Sequence, residues 1–272
     1  MNSPLSLNLC GQLVSLRRPL VMGIINATPD SFFAQSRAEE EAAVKQRAEF
    51  LLVQGADIID VGACSTRPGA EPCDESNETA RLRQALAWIR SVAPNAPLSV
   101  DTFRADVARM AVEEFGVAIV NDVTGGQADA RMFRTVAQTA AAYVLTHSDT
   151  LRSVTPRDVL QSLVRRAERL HAMGVCDVIL DPGIGFTASR NDDFALLRQL
   201  SDFREAGLPL LIGLSRKRLV WETLETRPAD SLFGTIALNM FALTQGANIL
   251  RVHDVEAAVH TVKLFCKVMS SE

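Results

Sequence analysis

Asp101, Asp181, Lys217, Arg251 and His253 each stand at the end of a short apolar run, where a side chain can reach a ligand. Asn26, Asn121 and Ser215 hold the same position after other runs. Thr66, Arg67 and Pro68 follow one more, and Phe186 closes the glycine-bearing segment Asp181–Phe186. A single polar residue in such a place is usually a turn former or a helix cap. Capping does not call for Arg67, Lys217, Arg251 and His253 together in a mildly acidic chain. Asp, Asn and Lys deep in a pocket suit the donor and acceptor edges of a polar heteroaromatic ring. Arg and His at its rim suit a phosphate or diphosphate. Glycines in Arg67–Gly69 and Asp181–Gly185 let backbone approach a ligand closely. The chain has no HExxH, no Cys/His cluster and no GxGxxG, which disfavours zinc and a Rossmann dinucleotide. Asn26 can help to hold Mg²⁺ through diphosphate oxygens, because Mg²⁺ takes few protein ligands.

These residues need elements that bring them to one place. Apolar runs predict buried parallel strands over 20–25, 57–61, 97–100, 117–120, 142–145, 177–180, 209–212 and 248–252. Helical spacing predicts helices over 39–53, 79–92, 104–115, 130–140, 157–173, 192–205, 232–245 and 255–268. Glycines 55, 116, 174, 207 and 246 fall where helices should stop. Eight strand–helix units favour a closed (βα)₈ TIM barrel over an open sheet. The expected organisation is one barrel domain over 19–272, with residues 1–18 packing under it as a short hairpin or lid. Strand ends of such a barrel converge on one mouth.

Composition narrows the partners. The chain is 272 residues long, 47% apolar and 22% charged, with a formal charge of −4. It has no general attraction to nucleic acid or an anionic membrane, so an anionic ligand must meet local cations. No apolar run is long enough to span a bilayer, and no signal-peptide pattern stands at the start. Cysteines 10, 64, 73, 176 and 266 are scattered and odd in number. That argues against a disulfide framework and for a reducing compartment, the cytoplasm. Cys64 reads as a packed core thiol. Phe233, Met240, Phe241, Phe265 and Val268 in the last two helices suit either a dimer interface or a cover for the barrel.

The segments carrying these residues resemble the dihydropteroate synthases. The match runs through MGIINATPDSF (22–32), GADIIDVG (55–62), STRPGA (65–70), SVDT (99–102) and NDV (121–123). It continues through LDPGIGF (180–186), Gly213 with Ser215–Lys217, and GANILRVHD (246–254). The order is right and nearly the whole chain is covered; TPDSF and STRPGA are the specific motifs. The resemblance implies a transferase that joins 6-hydroxymethyl-7,8-dihydropterin diphosphate to p-aminobenzoate in folate synthesis, releasing diphosphate through a pterin cation. It further implies that Asp101, Asn121, Asp181, Lys217 and Arg251 bind the pterin. Asn26, Thr66, Arg251 and His253 would bind diphosphate and Mg²⁺, and Thr66, Arg67, Pro68, Phe186 and Ser215 would border p-aminobenzoate. Asp101, Asp181, Lys217, Arg251 and His253 would be the catalytic set. A homodimer and sulfonamide inhibition belong to the same expectation.

The chain departs from the family pattern in places. Phe33–Ser36 replace a serine, an aspartate and two glycines after TPDSF. Cys64 stands for a glutamate before STRP, and Arg218 for a serine after SRK. These departures motivate a competing reading, a catalytically weak paralogue that binds pterin as a partner subunit. A methyltetrahydrofolate-dependent methyltransferase shares the barrel but has no use for residues suited to diphosphate.

Overall fold

The computed structural model describes residues 5–27, 37–64 and 73–270. An antiparallel hairpin opens the chain, β1 (Ser6–Leu9) and β2 (Gln12–Ser15). The eight-stranded sheet follows: β3 (Leu20–Asn26), β4 (Ile58–Gly62), β5 (Leu98–Asp101), β6 (Ile119–Asp122), β7 (Ala142–Thr146), β8 (Val178–Asp181), β9 (Leu211–Ile212) and β10 (Ile249–Val252). These pair in parallel in the order β8-β7-β6-β5-β4-β3-β10-β9. A parallel bridge from Leu180 to Leu210 joins the two ends into a barrel.

Helices α1 (Arg37–Val53), α2 (Glu75–Val92), α3 (Ala105–Phe115), α4 (Met132–Thr139), α5 (Pro156–Ala172), α6 (Arg190–Arg198), α7 (Arg218–Trp221), α8 (Leu232–Thr244) and α9 (Val255–Met269) connect them. Their ends follow local chemistry. Asp74 caps α2 by accepting the Asn77 N–H at 2.8 Å. Thr155 and Asp158 cap α5 reciprocally, with Pro156 at its first turn. Gly116 ends α3 at φ 61°, a left-handed conformation that costs glycine nothing. Two expectations change. The helix expected over 192–205 is α6 followed by a 3₁₀ turn over Leu200–Ala206, tightened where Leu200 and Phe203 bury. The short helix α7 was not expected. No helix of the described residues is long and apolar enough to cross a membrane.

Strand alternation sorts the core into two layers. Residues of one strand face, such as Val21, Ile59, Val61, Val100, Val120, Leu145 and Leu250, pack outward against the helices. Residues of the opposite face fill the barrel: Met22, Ile58, Ile119, Val144, Ile179, Leu211 and Ile249. The hairpin lays Leu7, Leu9 and Leu16 on this inner cluster, closing one end of the barrel with apolar surface.

Candidate active site

The same alternation, carried one or two residues further, builds the site. Two residues beyond Ile58 stands Asp60; two beyond Ile119, Asn121; two beyond Ile179, Asp181; two beyond Ile249, Arg251. Asp101 lies beside Asn121 in the parallel register, and Asp181 beside Thr146. A polar layer therefore sits directly above the apolar plug. The strands run about one residue past their apolar stretches, so Asp101, Asn121 and Asp181 are strand residues held by the ladder rather than loop residues.

Arg251 organises this layer. Its Nε donates to Asp60 Oδ2 at 2.7 Å and its Nη2 to Asp101 Oδ2 at 2.5 Å. Asn121 Nδ2 donates to the same Asp60 oxygen at 3.2 Å. Burial opposes the charge on Arg251, and the carboxylates of Asp60 and Asp101 overcome that, raising its pKa. Arg251 thus points inward into a carboxylate pair rather than outward at the rim, which corrects the division of charge read from the sequence. The pair outweighs the rim position because an unpaired buried Asp60 would be costly. Asp60 Oδ1 and Asp101 Oδ1 remain buried without a hydrogen-bond partner among the described residues. Burial pushes Asp101 up to about 7, opposed by Arg251 and assisted by Asp60, Asp122 and Glu78.

Across the mouth, Lys217 reaches back over the β8 loop. Its Nζ donates to the Ile184 carbonyl and lies 4.8 Å from the centre of the Phe186 ring. Burial lowers its pKa, while Asp181 and Asp193 favour the charge. Burial likewise raises Asp181, with Lys217 opposing. Asp181 Oδ1 accepts the Gly183 N–H at 2.8 Å. Gly183, at φ 76°, passes so close to strand β7 that a Cβ would lie 1.7 Å from the His147 carbonyl oxygen. Only glycine lets the loop turn there.

The third part of the site lies between β3, β10 and α1. His253 Nδ1 is 3.1 Å from Ser215 Oγ, and the His253 N–H donates to that oxygen at 3.2 Å. Ser215, expected at the p-aminobenzoate border, here positions the histidine. Arg47 donates to the His253 carbonyl at 2.8 Å. Asn26, Gln46, Arg47, Phe50 and His253 line a cleft of about 470 Å³. Among the described residues no group of three or more His, Cys, Asp or Glu could hold a metal. Mg²⁺ would need substrate oxygens here, with the amide oxygen of Asn26 as the candidate hard donor. Thr66, Arg67 and Pro68 lie outside the described residues, as does the departure at Phe33–Ser36.

Two features escaped the sequence. Asp60 was read as part of a buried strand, although a carboxylate inside an apolar run already demands a partner. Cys64 is not a lone packed thiol: it is disulfide-bonded to Cys73, with Cα atoms 5.7 Å apart. Only the folded positions of the two cysteines show the bond. Cys10, Cys176 and Cys266 are free.

The profile of the family described as "Pterin binding enzyme" matches residues 22–253. The chain is 35% identical to a dihydropteroate synthase of Bacillus subtilis, over 91% of this chain and 87% of the relative. It is 34% identical to an "inactive dihydropteroate synthase 2" of Mycobacterium leprae, over 97% and 95%. Its fold superposes on Xanthomonas albilineans dihydropteroate synthase with 4-aminobenzoic acid at a TM-score of 0.91, with 34% identity over 99% and 100% of the chains. The same enzyme in complex with 7,8-dihydropteroate gives 0.88, with 33% identity over 98% and 100%.

Proposed function

This chain belongs to the pterin binding enzyme family, among the dihydropteroate synthases, and from that premise we propose that it joins 6-hydroxymethyl-7,8-dihydropterin diphosphate to p-aminobenzoate. The products are 7,8-dihydropteroate and diphosphate. The observation that carries this reading is the inner polar layer. Asp60 and Asp101 hold free carboxylate oxygens, with Asn121 donating to Asp60 and Asp181 near Lys217. An aminopyrimidine edge presents N–H donors and a carbonyl acceptor, which suit carboxylates and an ammonium respectively.

Asp101, Asn121, Asp181 and Lys217 would hold the ring. Arg251 would fix the direction of the two free carboxylate oxygens and present a cationic face to the bound pterin. Loss of diphosphate leaves positive charge spread over the ring, which Asp101 and Asp181 stabilise. His253, Asn26 and Thr66 would contact the departing anion, and Arg251 would add the charge of its guanidinium from the inner layer. Asn26 would help to hold Mg²⁺, which would supply neutralisation of charge on the diphosphate. Phe186, Arg67, Pro68 and Ser215 would border the incoming p-aminobenzoate. Its amine attacks the cation, so no protein nucleophile is needed.

The assembly we favour is a homodimer through α8 and α9, where Phe233, Phe241, Leu264 and Val268 are exposed. Met240 and Phe265 are partly buried, and Phe265 packs against the barrel's own core. Three free cysteines suit a cytoplasmic setting. A second reading, a pterin-binding subunit without turnover, draws on the relatives named inactive and on Cys64. Diphosphate release decides: the synthase reading expects it only when pterin diphosphate, p-aminobenzoate and Mg²⁺ are all present. Tight pterin binding with no release favours the subunit.

A further inference from the structure

We propose that Cys64 and Cys73 are a thiol–disulfide exchange site, taking a low-molecular-weight disulfide such as oxidised glutathione, and that its state sets the affinity for p-aminobenzoate. The second half rests on the synthase reading above. Four observations converge on the pair. The two cysteines are bonded across a sequence separation of 9. The interval between them carries Thr66, Arg67 and Pro68. Both sulfurs also lie beside guanidinium groups: Arg104 Nη1 is 3.7 Å from Cys64 Sγ, and Arg81 Nη1 is 3.8 Å from Cys73 Sγ. A cation beside sulfur favours the thiolate, which is the form that exchanges with disulfides. Finally, three free cysteines elsewhere in the chain point to a reducing setting, where a persistent disulfide is exchangeable rather than structural.

The pair is wired to the polar layer. Arg104 also donates to the Cys73 carbonyl and pairs with the fully buried Glu78, whose Oε1 accepts from Thr102 Oγ1 at 2.7 Å. Thr102 follows Asp101 directly. The disulfide therefore lies beside the Arg104–Glu78 ion pair, which reaches Asp101 through its neighbour Thr102. Reduction removes the covalent link between Cys64 and Cys73 and leaves the Arg104 contacts to hold them.

The exchange balances. One thiolate attacks the small disulfide and expels a small thiolate; the second cysteine attacks the mixed disulfide and expels another. Two protein thiols are oxidised by two electrons and release two protons, and one small disulfide is reduced to two thiols.

The test equilibrates the full chain in buffers of varied reduced-to-oxidised glutathione, traps thiols with iodoacetamide and maps peptides. The Cys64–Cys73 linkage should appear and vanish reversibly across the series. Initial rates from the same samples should show the KM for p-aminobenzoate rising at least threefold on reduction, with kcat changing less. The double variant C64S/C73S should keep the higher KM at every ratio. A linkage that never forms, or that survives excess reduced glutathione, overturns the exchange site. A linkage that titrates while KM stays constant overturns the coupling. Absence of turnover at every ratio counts against the synthase reading instead, and the peptide map still decides the exchange.

Discussion

Arg251 and Asp60, 191 positions apart, meet at 2.7 Å inside the barrel, and Asp60 is wholly buried. Removing one member of such a pair leaves the other charge without its partner, which costs about 3–5 kcal/mol. Asp60→Ala should lose stability near the lower end of that range, because Asp101 still meets Arg251. A urea titration with unchanged m-value reads it. A loss under about 0.5 kcal/mol, the level of an ordinary surface change, would show that the pair does not hold the site together.

Lys217 and Asp181 face each other across the β8 loop, each opposing the effect of burial on the other. Lys217→Ala and Asp181→Ala should each abolish measurable binding of pterin in calorimetry. Unchanged affinity in both variants would place the pocket elsewhere.

Asp101 makes stability depend on pH. Its pKa in the folded protein, about 7, lies above the ordinary 3.8. Between those values the folded state holds a proton that the unfolded chain releases. The contribution is thus fully present below about pH 4 and is lost as pH rises through 7. Urea midpoints measured from pH 5 to 8 should fall less steeply in Asp101→Asn than in the unaltered chain. Parallel profiles would mean that Asp101 is already ionised at pH 5.

The exposed apolar face of α8 and α9 predicts self-association. Phe241→Glu should shift the sedimentation coefficient from that of a dimer to that of a monomer while leaving the helical content intact. A chain that sediments as a monomer without the substitution removes the homodimer from the account.

The barrel was legible because each strand is an apolar run and each helix keeps its period, so the alternation shows in composition alone. Asp101, Asn121, Asp181, Lys217, Arg251 and His253 were legible as one mouth because chain order and barrel geometry bring strand ends together. The partners they choose there were not. Asp60 sits within an apolar run, and its claim on Arg251 depends on parity within β4 and β10, which lie far apart in sequence and flank β3 in the sheet. The contact of Ser215 with His253 was not legible either, because it depends on the rotamer of a hydroxyl. The Cys64–Cys73 bond depends on where the fold sets the two cysteines, and a separation of nine residues signals nothing by itself.

The central claim is that this polar layer turns over its ligand rather than only holding it. The most direct measurement quantifies 7,8-dihydropteroate and diphosphate from one reaction of purified protein, pterin diphosphate, p-aminobenzoate and Mg²⁺. The synthase reading predicts both products in one-to-one ratio, and neither when Mg²⁺ is chelated. Saturable pterin binding with neither product formed would contradict it.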